Sequence, residues 1–134
     1  MSNWTHVAAV VRIDDLRFGD FTEPDWDKIF GKELLYGDPY EKWEEADKYP
    51  ERYLPMGSEG SLQKSVWANP KECSAAAYTV SIFGDLRDHD DPDEIIEWFK
   101  KKCSKLSVRQ ASIVVTNIVN GTRSWYTSLD EEYL

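Results

Sequence analysis

Residues 91–106 read Asp91-Pro92-Asp93-Glu94-Ile95-Ile96-Glu97-Trp98-Phe99-Lys100-Lys101-Lys102-Cys103-Ser104-Lys105-Leu106. This stretch decides the fold, because it predicts one well-bounded helix between β-rich runs. Asp91 suits the N-cap, Pro92 the first helical position, and Glu94 the acidic position of a capping box. Ile95, Ile96, Phe99, Cys103 and Leu106 recur at helical spacing, while Lys100, Lys101, Lys102 and Lys105 gather at the dipole-negative end. Upstream, residues 61–68 and 75–83 alternate as strands do. Downstream, 108–119 and 122–127 flank Asn120-Gly121, a strong hairpin signal.

An apolar run over 7–13 opens the chain. Both of its alternating sets are mostly apolar, which predicts a central strand covered on both sides. In the following excursion, Thr22 is a candidate cap for a short helix carrying Trp26, Ile29 and Phe30. A second helix is expected over 40–48, ended by Pro50. Asn69-Pro70-Lys71-Glu72 supplies a turn. The predicted order is β-α-β-β-α-β-β in a single α+β domain spanning 1–134. It points to a ferredoxin-like βαββαβ sheet with an added C-terminal hairpin strand and a long acidic insertion after the first strand. Along 75–83, one face is large (Ala76, Tyr78, Val80, Ile82) and the other small (Ala75, Ala77, Thr79, Ser81). The large face should meet the helices and leave the small one open to a close approach.

The chain has 134 residues and a formal net charge of −9. That length buries roughly two-thirds of the unfolded surface in one core. The acidity is concentrated: residues 14–59 carry 14 acidic and 6 basic side chains, and 85–97 carry 7 and 1. Such a balance disfavours direct binding to a nucleic-acid backbone. No apolar run is long enough for a membrane span, and the N-terminus lacks the pattern of a signal peptide, so the expectation is cytoplasmic. Cys73 and Cys103 fit free thiols.

Several groups can carry chemistry, each with a plainer structural reading beside it. Asp85, Asp88 and His89 could hold a hard or borderline cation for a metal-dependent hydrolase. Without a calcium-loop spacing, helix capping explains the cluster better, and no metal or cofactor is assigned. Gly57-Ser58-Glu59-Gly60-Ser61 offers amides and hydroxyls to an anion, although it leads into a strand and reads equally as a tight turn. Gln63 and Trp67 continue from it along one strand face. Arg12, Arg17, Arg87 and Arg109 stand out in an acidic chain, and arginine forks recognise phosphate or carboxylate. Ion pairing is their commoner fate. The candidate ligand site is therefore Arg12, Arg17, Gly57, Ser58, Gly60, Ser61, Gln63, Trp67, Arg87, His89 and Arg109. No nucleophile sits in a recognisable catalytic setting, so nothing argues for an enzyme.

The segments Pro55-Met56-Gly57-Ser58-Glu59-Gly60-Ser61-Leu62 with Val66-Trp67, and Phe83-Gly84-Asp85-Leu86-Arg87-Asp88-His89-Asp90 with Glu94-Ile95-Ile96-Glu97-Trp98-Phe99 and Val108-Arg109-Gln110-Ala111, resemble small proteins carried by bacteriophages and prophages. The resemblance spans about residues 4–127 and brings no assigned activity. It implies a counter-defence setting in an infected bacterial host. Two functions follow as expectations. One is non-enzymatic sequestration of a small nucleotide-like immune signal, with a possible homodimer through the sheet. The other is inhibition of a host defence protein by an acidic surface facing a basic groove, helped by Trp26, Tyr36, Tyr40, Trp43, Tyr49 and Tyr53. Under the first, Arg87→Ala or Gly60→Val should remove binding and spare the fold.

Overall fold

The computed structural model describes residues 2–15, 24–68 and 76–129. In chain order the elements are β1 (Trp4–Asp15), α1 (Trp26–Ile29), α2 (Tyr40–Lys48), a 3-10 turn (Pro50–Arg52), β2 (Met56–Gly57), β3 (Gly60–Ser61), β4 (Gln63–Ala68), β5 (Ala76–Arg87), α3 (Pro92–Cys103), β6 (Val108–Asn117) and β7 (Gly121–Ser128). Five strands form one antiparallel sheet in the order β4-β5-β1-β6-β7, and β2 and β3 make a separate two-stranded ribbon. The chain is thus mixed α+β, with the first strand at the sheet centre. The expected turn over 69–72, the Thr22 cap, Arg17 and Cys73 lie outside the described residues.

Alternation puts every second side chain on one face. Val7, Ala9, Val11 and Ile13 of β1 are buried with Tyr78, Val80 and Ile82 of β5 and Ala111, Ile113 and Val115 of β6. Ile95, Ile96, Phe99 and Cys103 of α3 close over the β6–β7 half, with Phe99 edge-on to Trp125 at 5.9 Å between ring centres. The acidic excursion supplies the other half of this layer: Trp26, Phe30 and Leu54 enter the same core, joined by Leu62 just before β4. Trp26 meets Tyr78 edge-on at 5.1 Å. The insertion is acidic in sum, yet its apolar minority is structural.

Among the described residues no element covers the second face of the sheet, which corrects the expectation that β1 is covered on both sides. Its two central rows read Ser65-Ser81-Val10-Ser112-Tyr126 and Gln63-Phe83-Ala8-Val114-Ser124. Val10 keeps 45% of its surface in solvent. Apolar character on both sides of a strand shows that the strand is central, without showing what lies on each side.

The local chemistry of α3 is as expected at its start. The Asp91 carboxylate accepts from the amides of Asp93 and Glu94. The helix stops at Cys103, three residues before Leu106, with Ser104 as its C-cap. Asn117 pairs with Gly121, so the hairpin loop is Ile118-Val119-Asn120, and Gly121 with φ +89° takes the left-handed position. That is a three-residue loop, instead of one centred on Asn120-Gly121.

Asn117 occupies a core-facing position and is 1% exposed. Its Oδ1 accepts from the amides of Val119 (2.9 Å) and Asn120 (2.8 Å). Its Nδ2 donates to Asn3 Oδ1 (3.0 Å) and to Thr5 Oγ1 (2.9 Å), and lies 3.3 Å from the His89 carbonyl. The Thr5 hydroxyl donates to that same carbonyl. One amide therefore ties β1, the hairpin and the 88–90 loop together. We expect Asn117→Ala to lower stability by about 2–4 kcal/mol in urea unfolding, since it strands several buried partners. Asp91→Ala, which removes only a cap, should cost about 1 kcal/mol.

Candidate functional site

The anticipated ligand residues separate into three places. Arg12, Trp67 and Arg109 lie toward one end of the open face. A register shift pairs Arg12 with Gln110 and Ile13 with Val108, leaving Arg109 as the extra residue of a bulge. Asp14 receives both guanidinium groups, and Arg12 also lies 5.8 Å from the centre of the Trp67 ring. These arginines have carboxylate partners of their own.

The glycine-serine loop forms the second place. Gly60, Ser61, Gln63 and Arg87 converge with Glu59 and Asp85 around a cavity of about 230 Å³. Its donors, however, are spent on the protein. The Ser58 amide donates to the Arg87 carbonyl and its hydroxyl to Asp88. The Ser61 amide donates to the Leu34 carbonyl, while its hydroxyl accepts from the Leu34 amide and donates to the Leu62 carbonyl. Gly57 pairs with Gly60 in the β2–β3 ribbon. Arg87 donates to Glu59 at 2.6 Å and to Ser2 at 2.9 Å, and the Glu59 bond holds its pKa above the ordinary value. The loop works as a structural tie between the 34–36 segment and β5.

The third place contains His89. Asp88 adopts a left-handed backbone (φ 63°), a conformation that a short polar side chain tolerates. This turns the chain so that the His89 ring goes inward. Its Nδ1 is buried with no hydrogen-bond partner, and Nε2 stands 3.9 Å from the Glu94 carboxylate. Meanwhile Asp85 faces His6 on the sheet and Asp88 faces Ser58. The three groups suggested for a metal thus point to different partners. Among the described residues, no three His, Cys, Asp or Glu side chains are arranged to hold a metal ion.

His89 lines a groove of about 530 Å³ between α3 and residues 50–56. Leu54, Pro55, Met56, Ile95 and Trp98 supply apolar wall, and Lys101, Lys102 and Lys105 supply cations. Glu51 and Glu94 are the acids that border it. The α3 contributions fall at 94, 95, 98, 101 and 102, which is one helical stripe, and Lys105 follows from the turn just past the helix end. Among the described residues, none of these three lysines has a carboxylate within ion-pair distance, whereas neighbouring Lys100 pairs with Glu97 at 3.6 Å. Lys102 is held below its ordinary pKa, first by burial and then by the charges of Lys105 and Lys101. Like charges at helical i, i+3 and i, i+4 spacing each cost a few tenths of a kcal/mol, roughly 0.2–0.5. An anion in the groove would relieve that repulsion.

Sequence reasoning took these lysines as complements of the helix dipole, which they also are. The missed signal is that three of the four recur on the face shared with Trp98. Cys103, one turn away on the buried stripe, has its thiol pushed up to about 11 by burial, so it stays protonated near neutral pH. Tyr53 is buried beside Lys32 and Glu45, and burial, followed by the Glu45 charge, raises its pKa. No family model, curated protein or solved structure matches the chain.

The loop geometry reverses the expectation for Gly60→Val. Gly60 has φ +137°, and a Cβ there would stand 2.6 Å from the Leu34 carbonyl oxygen. We expect this substitution to destabilise the fold by at least about 2 kcal/mol. Chemical unfolding checks this; an unchanged midpoint would show that the loop tolerates a side chain.

Proposed function

We propose that this chain is a non-enzymatic binding protein, built on a ferredoxin-like sheet, that takes up a small anionic ring-bearing ligand of nucleotide type. The strand order supports the ferredoxin-like reading: β1 lies between β5 and β6, with β4 outside β5 and β7 as an added edge. The observation that carries the functional reading is the groove beside α3. It unites an apolar wall, the Trp98 and His89 rings and, among the described residues, three lysines without ion pairs in a chain of net charge −9.

Its volume falls in the range of small-molecule sites, roughly 300–1,000 Å³, while the cavity at the glycine-serine loop falls below it. Charge separates the two further. The smaller cavity sets Glu59 and Asp85 against one committed arginine, a poor arrangement for phosphate. On the resemblance to phage-borne proteins, we read such a ligand as one of the nucleotide signals of bacterial immunity, which a sequestering protein would withdraw.

Native mass spectrometry of protein expressed in a host with active nucleotide signalling, before and after denaturation, tests this reading. A released anionic molecule at stoichiometric amount is the expected result. A panel of mono- and dinucleotides titrated against intrinsic tryptophan fluorescence should find the same class. Lys101→Gln with Lys105→Gln should weaken binding at least about tenfold and flatten its salt dependence, since each charge-assisted contact contributes on the order of 1.5–3 kcal/mol. Affinity should fall as pH rises through the depressed Lys102 range, because the neutral amine no longer attracts the anion. An empty protein that binds none of the panel would sink the proposal.

A second reading rests on one patch. Leu35, Tyr36 and Tyr40 are exposed beside Glu41 and Glu44, which are exposed as well. This patch suits contact with a basic protein surface. Much of the suggested aromatic and acidic set is otherwise engaged: Trp26 and Tyr53 are buried, Tyr49 lies under Arg52, and Glu45 accepts from Lys32. Under this reading Glu41→Lys with Glu44→Lys should slow capture of a basic defence protein and reduce its salt dependence, measured by surface binding kinetics.

A further inference from the structure

We infer that the open face of the sheet is the self-complementary interface of a two-fold homodimer, independently of what the α3 groove binds. The two central rows of this face contain no Lys, Arg, Asp or Glu across all five strands, although 31% of the chain is charged. A solvated sheet face normally carries such residues, and their depletion marks the core of an interface. Val10, Phe83, Val114, Trp67 and Tyr126 remain between 41% and 53% exposed with every described element in place. Serines and Ala8 separate them, so a second sheet can approach to the ordinary stacking distance of about 10 Å.

The rim charges select both the partner and the axis. Toward one end of β1 stands Arg12, which donates to Asp14 and lies over the Trp67 ring. Toward the other stands Asp85 with His6. A two-fold axis along the strands would lay each end on its own copy, Arg12 toward Arg12 and Asp85 toward Asp85. An axis parallel to the sheets and midway between them, running across the strands near Ala8 and Val10, exchanges the ends. β1 then lies over β1, and Arg12 of one copy reaches the His6–Asp85 pair of the other, twice. The same surface thereby satisfies itself.

The size is sufficient for a concentration-dependent dimer. Five strands about 4.8 Å apart, over six or so residues each, present on the order of 500 Å² per copy. The total, about 1,000 Å², sits at the lower bound of specific interfaces.

Sedimentation equilibrium on the full chain over 1–500 µM, as a range about the micromolar dissociation expected of so small an interface, tests the inference. The expected result is a reversible monomer–dimer equilibrium. Val10→Glu and, separately, Val114→Lys should each yield monomer while retaining the circular dichroism spectrum and melting temperature. Arg12→Asp and Asp85→Arg should each weaken association at least about tenfold, and the two together in one chain should restore it. Monomer throughout for the unaltered protein would overturn the proposal. So would a dimer indifferent to both central substitutions, which would place the contact on an edge strand or the Leu35–Tyr40 patch. Failure of the double exchange to restore association would overturn the axis.

Discussion

A single buried amide, Asn117, constrains the parts of this fold that have no other reason to meet. It sits where the core face of β6 runs out, and its two polar atoms reach Asn3, Thr5, the His89 carbonyl and the amides of the hairpin loop. Burying an amide is costly unless all its bonds are made. Here they are made to three different segments, so those segments must assemble together. Neighbouring contacts reinforce the junction: Asn120 donates to the Asp90 carbonyl and Arg123 to Asp93. The start of α3 is thereby docked on the β6–β7 hairpin.

That docking is what creates the groove. His89 enters it because Asp88 turns left-handed and because the His89 carbonyl is held from behind by Thr5 and Asn117. The opposite wall comes from residues 50–56, held through Leu54 and Tyr53 by the parallel bridge to Lys32. One wall is set by a polar junction and the other by a backbone bridge. Between them lies a cavity whose lysines repel one another. A folded chain that retains such repulsion keeps electrostatic energy that a bound anion would release.

The two unusual surfaces of the molecule are of opposite kinds. The groove is concentrated positive charge over apolar wall, suited to a small anion. The sheet face is flat, small-residued and uncharged at its centre, suited to another flat surface. They lie on opposite sides of the sheet, since α3 and the 50–56 segment belong to the covered side. A dimer made through the open face would leave both grooves accessible.

How much of this was legible in the residues depends on the range of the interactions that decide it. The start of α3 was readable because capping and helical spacing are local, and the strands around it because alternation is local too. The C-terminal part of β5 was missed: Gly84 and Asp85 look like a break, yet they pair with Val7 and His6. The glycine-serine loop looked like an anion cradle because its donors are visible in sequence, whereas the acceptors that consume them come from Leu34 and Arg87. The lysines at the end of α3 were visible, but the wall that makes them a site arrives from residues 50–56, far upstream. The sequence by itself determined the elements, the amphipathic faces and the acidic balance, all set by neighbours within a few positions. Only the tertiary structure decided which polar groups were satisfied, which face of the sheet stayed open and where a cavity remained, because each depends on long-range packing.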